Sequence, residues 1–332
     1  MSTKEWFFSL YDSEKKKAFP ILSFPCVQLL GVTVRQLISD SNLQARGMKL
    51  VADRTNSAAA VGMMDLSVEA EAFGASVKAD DHEVPTVISS IVKTIDDAKN
   101  LSIPKVYEAR TNRYIESIAN ATYSITDRPV FAGIIGPFSL AGRLMDMTEI
   151  MINCYIEPEM VKTTLIKTTE FLIEYGEAFK KAGANGIVMA EPAAGLLSPS
   201  LIEEFSTVYV KQIVDALKTD DFGVVYHNCG NTIPLIDSIL KIKADAYHFG
   251  NAIDISKMLS LVDDKTIIMG NIDPAGQFRN GTKESIYEET IGLLEKCSNH
   301  KNFIISSGCD IPPQASWDNI DSFFKAVEDF YN

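Results

Sequence analysis

Short apolar runs recur along the chain, and longer stretches with helical spacing of apolar residues separate them. Each run has the length and composition of a buried strand. The eight predicted strands are residues 19–26, 58–65, 129–137, 186–192, 224–226, 246–250, 266–273 and 303–309. Helical patterns cover residues 4–17, 34–56, 157–181 and 233–242. Eight strands that alternate with helices favour a (β/α)₈ TIM barrel over an open, doubly wound sheet.

The pattern is continuous enough to predict one barrel domain over residues 1–332, with residues 1–18 as an N-terminal helical extension. Residues 69–104 are less regular. They contain the acidic run 80–83 and a helical pattern near residues 86–99, and we interpret them as an elaborated loop over the mouth of the barrel.

Residues with metal-binding side chains follow two of the predicted strands. His227 and Cys229 close the strand at 224–226, and Cys309 closes the last strand. Positions two apart in an extended chain face the same side, so His227 and Cys229 can share one pocket. Three nitrogen and sulfur ligands with one position left open are what a catalytic zinc site needs. Buried cysteines and histidines are also common without any metal, so these residues alone leave both interpretations open.

Other polar residues lie near strand ends. Asp65 and Glu191 are the candidate catalytic residues. Asp65 is expected to contact substrate, and Glu191 is a candidate fourth zinc ligand whose alternative role is to cap a helix or form a salt bridge. Gly136 turns the third strand into a segment that carries Arg143, and we predict that Gly136, Arg143 and Tyr226 line a cofactor pocket.

Several further residues could join the site. Cys26 follows the first strand and is predicted to be a core thiol, with a spare metal ligand as the alternative. We predict that His82, His248 and His300 are structural or exposed. Asp310 is a candidate for orienting the zinc ligands from behind.

Composition excludes several classes of function. A formal net charge of -13 argues against a nucleic-acid surface, and the run 15–17 of three lysines is interpreted as a solvated helix face. No apolar stretch is long enough to span a bilayer, and the first residues do not have the pattern of a signal peptide, so we expect a soluble, cytoplasmic protein. Glycine motifs for dinucleotides or nucleotides are not found.

The chain resembles the uroporphyrinogen decarboxylase superfamily and, within it, the cobamide-dependent methyltransferases that act on thiols. The resemblance covers nearly the whole chain. It is carried by residues 136–141 (GPFSLA), 182–184 (AGA), 197–199 (LSP), 227–231 (HNCGN), 270–274 (GNIDP) and 307–313 (SGCDIPP). It implies the same barrel, and in the methylcobamide:coenzyme M methyltransferase branch the residues that match His227, Cys229 and Cys309 bind zinc.

The resemblance implies a zinc-dependent methyltransferase. Its methyl donor would be a methylated corrinoid (methylcobalamin type) on a carrier protein, and its acceptor a small thiol such as coenzyme M, another thiol, or folate. A protein-bound corrinoid requires an open barrel mouth, where we expect an exposed apolar rim.

Two alternatives stay open. The first is a metal-free decarboxylase of a tetrapyrrole or another carboxylated substrate, and Asp65 does align with the aspartate that binds pyrrole nitrogens in that branch. Against it, residues 20–31 contain no arginine, where the decarboxylases have an arginine-rich loop. The second is a corrinoid- or thiol-binding module without turnover.

Overall fold

Seven parallel strands form a curved sheet in the computed structural model, which describes residues 1–332. The strands lie in chain order across the sheet, and every neighbouring pair is parallel. These strands are β1 Ala60–Val61, β4 Val130–Ile135, β5 Gly186–Ala190, β6 Gly223–Asn228, β7 Ala246–Phe249, β8 Ile267–Ile272 and β9 Phe303–Ser307. Parallel neighbours require crossover connections, which here contain the helices. The predicted α/β barrel class is confirmed.

An irregular segment occupies the place of the eighth strand. The backbone N–H of Ala58 donates to Ala18 at 2.8 Å, and that of Phe19 donates to Ile305 at 3.0 Å. Residues 18–23 therefore lie between β1 and β9 and bond to both edges. The predicted strand 19–26 is in the expected place but is not a regular strand, and its last residue begins the helix Cys26–Leu30.

Fifteen further α-helices and four short helical turns make up the rest of the helical structure. The α-helices are Thr3–Asp12, Val34–Ile38, Ser41–Arg54, Val68–Ala72, Ile95–Asn100, Thr111–Ser124, Pro137–Met145, Met147–Ile156, Pro158–Lys181, Pro199–Ile202, Val208–Leu217, Ile236–Leu240, Ile255–Leu259, Lys283–Cys297 and Trp317–Tyr331. The turns are the 3₁₀ helices Pro192–Leu196 and Ile233–Leu235 and the π-helices Glu203–Thr207 and Pro274–Arg279. None of the helices combines the length and the apolar character that a membrane crossing requires.

The N-terminal helix Thr3–Asp12 covers the end of the barrel where the strands begin. Its residues Trp6 and Phe7 pack with Phe131 and with the inward-facing residues of the sheet. The hydroxyl of Thr3 donates to the carbonyl of Asn185, one residue before β5. Apolar side chains thus fill this end of the barrel. A functional site is expected at the other end, where the strands finish.

The lysine run does not lie on this helix, which ends at Asp12. The ammonium group of Lys16 donates to the carbonyls of Leu10, Tyr11 and Lys301 at 2.7 to 2.8 Å. The interpretation of this run as a solvated helix face is therefore wrong. The run lies after the helix, and Lys16 links the end of that helix to the loop before β9 through these hydrogen bonds.

A small hairpin lies within residues 69–104, where a helix was predicted near residues 86–99. Strands β2 Val77–Lys78 and β3 Thr86–Val87 pair antiparallel, and the helix begins only at Ile95, after the capping residue Thr94. The loop between these strands forms ion pairs through Asp81 with Arg35 and through Glu83 with Arg279.

Candidate metal centre

Three side chains of the types that bind metal ions converge where β6 and β9 end, and we refer to them as the metal-binding candidates. His227 is the second-last residue of β6, Cys229 follows that strand directly, and Cys309 lies two residues beyond β9. Their nitrogen and sulfur ligand atoms all lie within 4.8 Å of one another, and Nε2 of His227 is 3.4 Å from Sγ of Cys309. A tetrahedral zinc with bonds of about 2.3 Å to sulfur and about 2.0 Å to nitrogen requires ligand atoms roughly 4 Å apart. The predicted convergence is present, and the donor set fits zinc.

The two thiols interact as a pair. The side-chain hydrogen bond between them lowers the pKa of Cys229 and raises the pKa of Cys309, because the Cys309 thiol donates to the Cys229 thiolate. The two thiols therefore titrate as a coupled pair. A cation that binds both sulfurs displaces the protons that they hold, so metal affinity should increase with pH.

Glycines allow the loops that carry the cysteines to pack closely. A Cβ atom on Gly250 would lie 2.5 Å from Cα of Cys229, and one on Gly195 would lie 2.9 Å from Cα of Gly230. On the other side, a Cβ on Gly308 would lie 2.7 Å from Oδ1 of Asn251. Backbone contacts this close are possible only without side chains, so these glycines help to position both cysteines.

His248 contacts the histidine of the metal-binding candidates. It is 1% exposed, and its Nδ1 lies 2.8 Å from Nδ1 of His227. The sheet register pairs these two residues directly across β6 and β7. The prediction that His248 is structural or exposed missed this contact, although the matching position in the next strand could have indicated it. His82 is exposed and His300 half-buried, as predicted.

Glu191 is fully buried and caps a helix. Its carboxylate accepts hydrogen bonds from the backbone N–H groups of Phe138 and Ser139 at 3.0 and 2.6 Å, in the first turn of Pro137–Met145. Negative charge is favourable at a helix N-terminus. Of the three roles considered for Glu191, the structure supports capping and supports neither the catalytic role nor the fourth zinc ligand. A Cβ at Gly136 would lie 2.5 Å from this carboxyl group, so the glycine allows Glu191 to pack against the helix start. Its place in a cofactor pocket stays a prediction.

Asp65 is enclosed by partners from its own chain. One carboxylate oxygen accepts the backbone N–H of Ser67 at 3.1 Å, and the other accepts the hydroxyl of Tyr114 at 2.7 Å and a hydrogen bond from the guanidinium of Arg110. The side chains of Asp65 and Arg110 are 0% and 8% exposed. The structure therefore does not support the predicted catalytic role, because the carboxylate is neither accessible nor unpaired.

Tyr226 faces away from the metal-binding candidates. Its neighbours Val225 and His227 face the barrel interior, so Tyr226 faces the helices, where it is fully buried and packs 6.3 Å from the ring of Tyr247. Because residues alternate between the two faces of a strand, the structure does not support its predicted role in a cofactor pocket.

Arg143 has surroundings that fit a binding role. It is half-buried, forms no ion pair, and lines a cavity of about 310 Å³ together with Ser89 and Ser90. Burial lowers the pKa of Arg143.

The last two candidate residues are Cys26 and Asp310. Cys26 is fully buried against Gly47, and burial raises the pKa of Cys26 to about 12, which confirms the predicted core thiol. Asp310 accepts a hydrogen bond from Ser23 at 3.3 Å. Its proposed role behind the zinc ligands stays a prediction.

A further buried carboxyl group, Glu69, gives the fold a pH dependence. Glu69 accepts the backbone N–H of Ile135 at 3.0 Å, its other oxygen has no partner, and burial raises the pKa of Glu69 to about 8. The folded protein thus holds a proton that the unfolded chain releases above about pH 4.3. The stabilisation is complete below that pH and is lost as pH rises to about 8.

We expect Glu69→Gln to remove this dependence. Relative to the variant, the wild type should lose up to about 1.4 kcal/mol of unfolding free energy per pH unit between roughly pH 5 and 8. Urea unfolding at several pH values measures the difference, and Glu295→Gln, on an exposed helix face, serves as the control. Parallel curves for wild type and Glu69→Gln would show that Glu69 is ionised throughout this range.

Comparison with known proteins shows the family to which this chain belongs. The family model for uroporphyrinogen decarboxylase (URO-D) matches residues 23–330, and the chain belongs to that family. The resemblance identified from the sequence is confirmed. Among its relatives, the methylcobamide:CoM methyltransferase MtbA of Methanosarcina acetivorans is 29% identical over 270 residues, which are 80% of this chain and 78% of that protein.

Two further comparisons bear on the branch and the fold. Uroporphyrinogen decarboxylase of Coxiella burnetii is 28% identical over 292 residues, which are 82% of this chain and 77% of that protein. A solved structure described as a methyltransferase from Methanosarcina mazei superposes with a TM-score of 0.87 and covers 100% of both chains at 19% identity. The fold is therefore shared over its whole length.

Proposed function

We propose that this protein is a zinc-dependent methyltransferase that moves a methyl group from a corrinoid on a carrier protein to a small thiol such as coenzyme M. The observation that carries the proposal is the convergence of one imidazole and two thiols at the end of the barrel where β6 and β9 finish. The similarity to MtbA, whose name describes a methylcobamide:CoM methyltransferase, supports it.

The residues of the site explain why such a reaction would occur here. A zinc ion held by His227, Cys229 and Cys309 would supply a Lewis acid that lets the acceptor thiol ionise at neutral pH. The two cysteine thiolates balance the charge of the ion, so an added substrate thiolate leaves the site with one net negative charge. That electron density keeps the acceptor sulfur nucleophilic. In the transfer, the sulfur lone pair would form the bond to the methyl carbon, the electron pair of the carbon–cobalt bond would stay on the cobalt of the donor, and the thiol proton would pass to solvent.

Features around the metal-binding candidates fit a large methyl donor. Leu196 is 69% exposed and follows Gly195, which packs against Gly230 beside Cys229. An exposed leucine at this place fits the expected apolar rim for a macrocycle. Arg143 is our candidate for an anionic group of the donor or the acceptor, because its guanidinium has no carboxylate partner in the chain.

The first test is metal content and turnover. We expect about one zinc per chain, with X-ray absorption distances of about 2.3 Å to sulfur and about 2.0 to 2.1 Å to nitrogen. Methylcobalamin with a panel of thiols should show thiol-dependent loss of the methylcobalt absorbance. A protein that binds no zinc and shows no thiol-dependent demethylation would refute the proposal.

The alternative is a metal-free decarboxylase, which the similarity to the Coxiella burnetii enzyme favours. The surroundings of Asp65 argue against it, because the carboxylate that would bind pyrrole nitrogens is paired with Arg110 and Tyr114. Carbon dioxide release from uroporphyrinogen by the chelator-treated protein would favour the decarboxylase.

A further inference from the structure

A chain of hydrogen bonds runs from the histidine of the metal-binding candidates to the far side of the barrel. Nδ1 of His227 lies 2.8 Å from Nδ1 of His248, and Nε2 of His248 lies 2.6 Å from Oγ of Ser306. Oγ of Ser306 lies 2.7 Å from the carbonyl oxygen of Phe19. The three side chains are at most 2% exposed, so the contacts are shielded from solvent.

The last member of this chain fixes the direction of every proton in it. A carbonyl oxygen only accepts, so the Ser306 hydroxyl donates to Phe19 and its oxygen accepts from Nε2–H of His248. The other nitrogen of a neutral His248 then carries a lone pair, to which Nδ1–H of His227 donates. Nε2 of His227 therefore carries a lone pair, and it is the nitrogen that lies 3.4 Å from Sγ of Cys309.

A second contact independently places the proton of His227 on Nδ1. Nδ1 of His227 also lies 3.2 Å from the backbone carbonyl oxygen of His248. Because this oxygen can only accept, Nδ1 of His227 has to be the protonated nitrogen. The reverse arrangement would place an imidazolium at His248, fully buried and without a carboxylate in contact, which is costly.

Strand alternation explains why these side chains meet. His227, His248 and Ser306 are each the second-last residue of their strands β6, β7 and β9. In each strand the residue two positions earlier belongs to the apolar interior of the barrel. The three polar residues thus form one layer between that apolar interior and the metal-binding end.

We propose that His248 and Ser306 are positioning residues that hold His227 in the tautomer and orientation that present Nε2 to the metal. The inference rests on the proposed zinc site. It adds that the groups behind His227, namely the His248 imidazole, the Ser306 hydroxyl and the Phe19 carbonyl, are all uncharged. Metal-bound histidines are often supported by a carboxylate, which makes the ligand more basic. Here the support adds no negative charge, so the metal keeps more of its power to ionise the acceptor thiol.

Substitutions at both positions test the proposal. His248→Phe keeps a ring but removes both nitrogens, and we expect about a 10- to 100-fold loss of zinc affinity, the usual effect of removing such a partner. Ser306→Ala should give a smaller loss in the same direction. Zinc affinity is measured by competition with a chromophoric chelator, and the visible spectrum of the Co²⁺-substituted protein reports the altered ligand geometry.

Matched controls separate positioning from loss of packing. Tyr247→Phe removes a hydroxyl from the neighbouring residue, whose partner is the Leu240 carbonyl. Ser307→Ala removes the hydroxyl that accepts from the backbone of Ile21, and Ser307 is as buried as Ser306. Both controls should bind zinc like the wild type. Equal losses in Ser306→Ala and Ser307→Ala would overturn the role of Ser306.

The tautomer can be observed without any variant. In ¹⁵N-labelled, metal-free wild-type protein, imidazole nitrogen shifts should show His227 protonated at Nδ1 and unprotonated at Nε2. A proton at Nε2 overturns the inference, even if His248→Phe does not fold. A protein that has the expected tautomer but binds no zinc would instead refute the proposed function, so the two failures are distinguishable.

Discussion

The Cys309→Ala variant should lose zinc and thiol methylation together. It removes one of three ligands, so the loss of metal affinity should exceed the roughly 10- to 100-fold typical of residues that only orient a ligand. Removing Cys309 also takes away the donor that stabilises the Cys229 thiolate. Zinc content by mass spectrometry and the methylcobalt absorbance with excess thiol are measured on the same preparation.

A buried cysteine elsewhere provides the control for this variant. Cys154 lies on the helix Met147–Ile156, is buried and is not part of the metal cluster. Cys154→Ala should therefore keep zinc and activity. Full thiol methylation by Cys309→Ala without zinc would eliminate the proposed mechanism, whereas a decarboxylase would tolerate the loss of Cys309.

The barrel was predictable because its strands are buried on both faces. Such strands are continuous apolar runs, and each regular strand of the sheet lies within or overlaps a predicted one. The first run fails as a regular strand for a local reason. Pro20 and Pro25 have no N–H to donate, so the segment bonds to its neighbours only at some positions.

The hairpin within residues 69–104 was not predictable from periodicity. Its strands β2 and β3 are two residues long, too short to produce an alternating pattern. The true helix start did have a local signal, since Thr94 and Asp97 form a capping box. Local capping residues were thus more informative here than the spacing of apolar positions.

The convergence of His227, Cys229 and Cys309 was predictable from strand alternation, but the roles of the carboxylates were not. The rule that places His227 and Cys229 on one side also places Tyr226 on the other, and applied consistently it excludes Tyr226 from the pocket. The partners of Asp65 and Glu191 come from distant parts of the sequence. Arg110 lies 45 residues after Asp65, and Ser139 lies 52 residues before Glu191. Only the folded structure shows that Asp65 is paired with Arg110 and that Glu191 accepts hydrogen bonds from the backbone near Ser139.

Asp65→Ala should destabilise the fold strongly and leave the metal-binding candidates intact. The substitution leaves the guanidinium of Arg110 buried with only the half-exposed Glu71 as a charged partner. Breaking a buried ion pair from one side costs about 3–5 kcal/mol. Urea unfolding at neutral pH measures this loss, and zinc content should stay at the wild-type level because Asp65 is not among the metal-binding candidates.

An ion pair whose carboxylate is exposed provides the comparison for this variant. Asp127 pairs with Arg128, and its side chain is 63% exposed. Asp127→Ala should cost no more than about 1 kcal/mol, since solvent screens such pairs. If Asp65→Ala were as stable as Asp127→Ala but had a raised KM, Asp65 would contact substrate after all. If stability falls and the KM of the folded fraction is unchanged, the aspartate that aligns with the pyrrole-binding residue of the decarboxylases has become part of the structural core in this chain.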